Sequence, residues 1–184
     1  IEETIRSVLL QGYPNLEYII IDGGSTDGSA EIIRKYEPWL AYWVSEKDRG
    51  QSHAINKGWE RATGDIIAYL CSDDIYLSGV LARVAGEFRV HSDAGIIVGA
   101  VVNTDAKSDF LGINTPLLPV GTPTDLTLLE PGSWYLPQPA SFVLRPTLLS
   151  VGMWVREDLH FTMDRELLYR VVHCAKVALV RSPL

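Results

Sequence analysis

Two neighbouring carboxylates, Asp73 and Asp74, follow the apolar run 66–70, and Asp22 closes a β-branched run at 18–21. Adjacent carboxylates repel one another unless a cation or ligand hydroxyls offset the repulsion, and hard oxygen donors suit Mg2+ or Mn2+. An ion held there bridges the phosphates of a diphosphate and neutralises the charge on a departing one. The plainer account of Ser72-Asp73-Asp74 is a turn that ends a strand, and the pair alone does not decide between the two. Asp164 opens a helical pattern, where free N–H groups and the dipole favour an ionised carboxylate. It suits a general base as well as a simple N-cap, and Glu157 and Asp158 are rival bases.

Asp22-Gly23-Gly24-Ser25-Thr26-Asp27-Gly28 has the look of a phosphate-cradling loop, but its spacing fails GxGxxG and it lacks the GK[ST] of a P-loop. The alternative is that Asp22 accepts a hydrogen bond from a base edge while the glycines let the chain turn beside a flat ligand. A turn with a helix cap explains Asp27 and Gly28 equally well. His53, His91, His160 and His173 show no paired spacing, and no Ser/His/Asp or Cys/His assembly is present.

These residues need elements to position them. Short runs at 18–21, 40–44, 66–70 and 96–102 read as strands. Between them lie helical patterns: Ile32, Ile33 and Tyr36; Ile55, Trp59 and Ala62; and Leu81, Val84, Ala85 and Phe88, the last capped by Ser78. Such alternation predicts an α/β fold with a mostly parallel sheet covered on both faces, and ligands then sit at the carboxyl ends of the strands. Residues 103–139 carry six of the ten prolines and read as a binding loop region with short elements of its own. A strand at 141–144, a helix at 164–172 and a strand at 176–180 follow. Ile1, Ile5, Val8 and Leu9 form an amphipathic helix with no initiator Met, so one further strand is expected before Ile1.

The 184 residues, 47% of them hydrophobic and 21% charged, suit one globular domain. A net charge of -7 argues against a duplex nucleic-acid binder, so an anionic ligand needs placed cations or a metal ion. The longest apolar stretch, 94–102, has nine residues against the roughly 20 that span a bilayer. Cys71 and Cys174 lie in strand-like runs without CxxC spacing and are expected as small buried hydrophobes in a reducing compartment.

Taken in order, Tyr18-Ile19-Ile20-Ile21-Asp22-Gly23-Gly24-Ser25-Thr26-Asp27-Gly28, Ser45-Glu46-Lys47-Asp48-Arg49-Gly50, Asn56-Lys57-Gly58 with Ala62-Thr63-Gly64-Asp65, and Ser72-Asp73-Asp74 closely resemble the family 2 glycosyltransferases of GT-A fold. The likeness is strong over residues 1–80. It is looser at Gln138-Pro139-Ala140-Ser141-Phe142 and at Met163-Asp164-Arg165-Glu166-Leu167 with Arg170. It implies a three-layer α/β/α sandwich in one domain, with a nucleotide-sugar half at 1–102 and an acceptor half at 103–184. Asp22 and Gly23, with Arg49 and Gly50, would lie at the nucleotide, Asp73 near the ribose and Asp74 on Mn2+ or Mg2+. Asp164 would be the base of an inverting, hexosyltransferase-like reaction, with Gln138, Trp134 and Tyr135 lining the acceptor pocket.

The resemblance also implies a nucleoside-diphosphate sugar donor, UDP-linked by preference, and a saccharide or lipid-linked acceptor. It points to polysaccharide biosynthesis in the cytoplasm or at the inner face of the membrane, and it allows a homodimer. A non-catalytic nucleotide-sugar binding module of the same fold is the alternative. A phosphate-accepting signalling domain shares the metal logic but leaves the glycine-rich segment without a task.

Overall fold

The computed structural model describes residues 1–118 and 134–184. The chain opens with helix α1 (Glu2–Leu9), then β1 (Ile19–Asp22), α2 (Ser29–Lys35), β2 (Tyr42–Ser45), α3 (Gln51–Arg61) and β3 (Ile66–Ile67). It continues through α4 (Val80–Val90), β4 (Ala94–Thr104) and β5 (Phe110–Asn114). After the stretch 119–133 come β6 (Ser141–Leu144), α5 (Arg145–Ser150), α6 (Met163–Cys174) and β7 (Lys176–Pro183).

β1 and β2 pair in parallel. The larger sheet is built on β4, with β6 antiparallel and β7 parallel to its first half, and β5 antiparallel to its second half. β3 joins through β6, antiparallel. Thus β3, β4 and β7 run one way, as the alternation of strands and helices led us to expect, while β5 and β6 run the other and make the hydrogen-bonded ladders mixed.

Helices cover both faces of β4 because its side chains alternate between two apolar layers. Ile96 and Val98 pack with Ile55 and Trp59 of α3 and Leu168 and Val171 of α6. Ile97 faces the other way, with Val80 and Val84 of α4, Val8 of α1 and Phe142 of β6. Each such aliphatic side chain taken fully from water stabilises the fold by roughly 1.5–3 kcal/mol before chain entropy is counted. A smaller cluster joins Ile5, Ile20 and Ile33, which seats α1 and α2 against β1. Among the described residues no helix is long and apolar enough to cross a membrane.

Several elements depart from the sequence reading. β3 stops at Ile67 rather than residue 70, because the Tyr69 carbonyl is taken by the Gln138 side chain at 2.6 Å instead of a ladder partner. Ser78 does not cap α4; Gly79, in the left-handed region at φ 79°, immediately precedes it. Within 103–139, the second half of β4 and β5 form a hairpin, while residues 119–133 lie outside the described part. The cysteines are not buried: Cys71 is half-buried and Cys174 is exposed, since the strand-like runs containing them end before Cys71 and in helix α6 respectively.

Candidate active site

The parallel register sets Asp22 beside Ser45, so the ends of β1 and β2 emerge on one rim. Asp22 is a buried residue, and its carboxylate accepts four hydrogen bonds from its surroundings. They come from the amides of Gly24 (3.2 Å) and Ser25 (3.0 Å) and the hydroxyls of Ser25 and Ser45 (2.5 Å each). Burial pushes this carboxyl up, but the bonds from Ser25, Ser45 and Gly24 outweigh it and hold the pKa below the ordinary Asp value. Asp22 therefore has a structural task in shaping its own turn, which the sequence did not reveal.

The turn lies directly against the loop after β2. A Cβ on Gly23 would sit 2.9 Å from a carboxylate oxygen of Asp48, and Gly24 holds φ 86° with the Lys47 amide nitrogen 3.1 Å from where its Cβ would be. Only glycine fits both the conformation and the approach at Gly24. Gly50, at φ 113°, then directs the chain into α3. Arg49 reaches across to Glu157 with two bonds, from Nε at 2.8 Å and from Nη2 at 3.0 Å.

The acidic turn is braced by α1 and the turn that follows it. Thr4 Oγ1 donates to the Ser72 carbonyl at 2.7 Å, Ser7 Oγ accepts the Tyr76 amide at 3.1 Å, and Gln11 Nε2 donates to the Leu77 carbonyl at 2.9 Å. These three residues went unnoticed as site supports, although positions 4, 7 and 11 trace one polar stripe along a helix. Cys71 Sγ and one carboxylate oxygen each from Asp73 and Asp74 lie within 4.8 Å of one another. Burial raises the Asp74 carboxyl, and the charge of Asp73 adds to the effect. The Cys71 thiol is pushed up to about 11 by burial and by the same two carboxylates.

Asp164 lies in the first turn of α6, with Thr162 at the N-cap position, rather than acting as the cap itself. It lines a narrow apolar pocket, about one water molecule in size, together with Trp59, Tyr69 and Gln138. Its charge is felt at the acidic turn: after burial, Asp164 is the next cause raising the Tyr69 hydroxyl, and it contributes to raising the Cys71 thiol. The rival carboxylates are committed elsewhere. Arg49 holds Glu157 below the ordinary range and Arg156 does the same for Asp158.

The three residues expected at the acceptor side separate. Gln138 shares the pocket with Asp164. Trp134 is buried in the core with the Arg165 guanidinium 5.0 Å from its ring centre. Tyr135 pairs with Leu117 and lines a different shallow hollow with Ile113, Asn114 and Thr115. Arg170 is occupied inside the fold, bonding Glu166 and the carbonyls of Val151 and Trp154. Asn56 was seen only as a motif residue, yet it clamps the following segment through Val155, donating to its carbonyl at 2.9 Å and accepting its amide at 2.8 Å.

The family model described as glycosyl transferase family 2 matches residues 1–146, and the chain belongs to that family. An uncharacterized glycosyltransferase of Mycobacterium tuberculosis is 28% identical over the whole chain, which spans 68% of that relative. An uncharacterized glycosyltransferase of Nostoc is 31% identical over 53% of the chain, and the match covers 31% of that relative. The fold is that of GT-A glycosyltransferases. TarS of S. aureus in complex with UDP superposes with a TM-score of 0.74 at 17% identity, over 99% of this chain and 54% of TarS. Mannosyltransferase PcManGT of Pyrobaculum calidifontis, in complex with GDP-Man and Mn2+, gives 0.69 at 19% identity, over 100% and 50%. The chain thus spans about half the length of these two solved structures.

Proposed function

We propose that this glycosyltransferase moves a sugar from a nucleoside diphosphate, UDP by preference, to a hydroxyl of a saccharide or lipid-linked acceptor with inversion. Residues 1–102 bind the donor and 103–184 face the acceptor. Asp22, Gly23, Arg49 and Gly50 form the base and ribose side, and Asp73 turns toward the ribose. Asp74 holds a divalent ion, Mn2+ or Mg2+. The donor chemistry fits, since carboxylate oxygens of Asp73 and Asp74 come within 4.8 Å of one another, and hard oxygens suit such ions. The ion, when bound, offsets the negative charge on the departing diphosphate.

Asp164 takes the proton of the acceptor hydroxyl as its oxygen bonds to the anomeric carbon and the diphosphate leaves from the opposite face. Gln138 borders the same pocket and shapes the acceptor side beside Asp164. The observation that carries this reading is that Asp164 shares a pocket with Gln138, whose side chain bonds both the Tyr69 carbonyl and the Cys71 thiol just before Asp73, while Glu157 and Asp158 are held by arginines. Support for the donor class comes from the UDP complex of TarS and from the GDP-Man and Mn2+ complex of PcManGT.

The test is transfer by the full-length protein. Asp164→Asn lowers turnover by about 100- to 10,000-fold, the usual contribution of a general base, and leaves donor binding intact. Inactivity of Glu157→Gln or Asp158→Asn with an active Asp164→Asn assigns the base elsewhere. Metal-dependent donor binding with no turnover by the native protein favours the binding-module alternative.

A further inference from the structure

Cys71 brings sulfur into what is otherwise an oxygen site. Its Sγ lies within 4.8 Å of one oxygen each of Asp73 and Asp74, and a small inward shift of the three side chains closes them on one ion at about 2.0–2.3 Å each. The thiol is held from two sides: Gln51 Nε2 donates to it at 3.2 Å, and its own S–H donates to Gln138 Oε1 at 3.8 Å. Gln138 is itself fixed on the Tyr69 carbonyl at 2.6 Å. The turn between the donors is braced as well, through Thr4 on the Ser72 carbonyl and the Asp74 amide on the Cys71 carbonyl at 3.2 Å. A soft donor on a fixed turn adds nothing for Mg2+ but strengthens the hold on Zn2+, Co2+ and Cd2+.

We propose that Cys71 is a third protein donor to the metal site and biases it toward borderline and soft divalent cations. The inference rests on the reading of Asp74 as a metal ligand. On binding, the Cys71 thiol gives its proton to solvent and its sulfur bonds the ion, with no change in oxidation state.

Co2+ titration of the full-length protein tests it, read by the thiolate-to-Co2+ charge-transfer band, with Mn2+ binding followed in parallel by electron paramagnetic resonance. The native protein and Cys174→Ser show the band. Cys71→Ser loses it and binds Co2+ at least about tenfold more weakly, with Mn2+ affinity much less affected. Circular dichroism and urea unfolding check that Cys71→Ser remains folded. Co2+ bound without the band, or a Cys71→Ser protein that retains it, overturns the proposal while Mn2+ binding leaves the oxygen site standing. If neither ion binds the native protein, or Asp74→Asn binds both as well as native, the reading of Asp74 fails along with it.

Discussion

Asp22 shows how one residue serves both the fold and the site. With four donors aimed at it, the carboxylate is the hub of the turn between β1 and α2. Asp22→Ala leaves those donors without an acceptor and lowers stability by about 1–3 kcal/mol, measurable by urea unfolding. The folded-state pKa is depressed, so this contribution is present above the unfolded value of about 3.9 and is lost as pH falls through the lower folded value. Native protein therefore loses stability on acidification below about pH 4 more steeply than Asp22→Asn does, which paired acid titrations read directly. Asp22, Asp73, Asp74 and Asp164 were legible because an acid that ends an apolar run, or opens a helix, stands out in a sequence. Their partners were not: Ser45 lies 23 residues from Asp22, and Glu157 lies 108 from Arg49. Only the folded chain makes them neighbours.

At the level of elements, β4 organises the molecule, and its glycines mark where other elements press on it. A Cβ on Gly95 would lie 2.5 Å from Thr147 Oγ1 of α5 and 2.6 Å from the Ala175 Cβ just past α6. Gly95→Ala therefore forces two helical segments outward and costs about 1–3 kcal/mol, seen as a lower urea midpoint with an unchanged slope. The clamp between Asn56 and Val155 is the corresponding device on α3. Asn56→Ala removes both hydrogen bonds to Val155, of a type worth about 0.5–1.5 kcal/mol each, together with a longer one to Glu157, and it speeds amide exchange around Val155. Strands β1, β6 and β7 and helices α2, α3, α4 and α6 follow from apolar spacing. β5 was hidden because Phe110, Leu111 and Ile113 are all exposed, so no buried alternation marks it. α5 was hidden because its six residues, with Pro146 in the first turn, bury only Leu148.

Taken whole, the molecule carries a net charge of -7 while its mouth gathers further carboxylates, so an anionic donor alone is repelled. UDP in the presence of Mn2+ raises the melting temperature, with a gain of about 2.7 kcal/mol at a hundredfold excess over Kd, and chelator or Asp74→Ala abolishes the shift. A shift that is the same with chelator present contradicts the metal reading. The place of β7 has a consequence for how the protein is made. β7 lies in parallel register along Ala94–Ala100 of β4, and the Leu184 amide bonds the Ala100 carbonyl. From the synthesis of β4 to that of β7 a ribosome adds roughly 80 residues, which takes about 4–16 s at ordinary translation speeds. For that interval the most apolar strand of the newborn chain has one edge without its final partner, a template for pairing with other chains. The completion of β7, more than any earlier step, is what closes that edge.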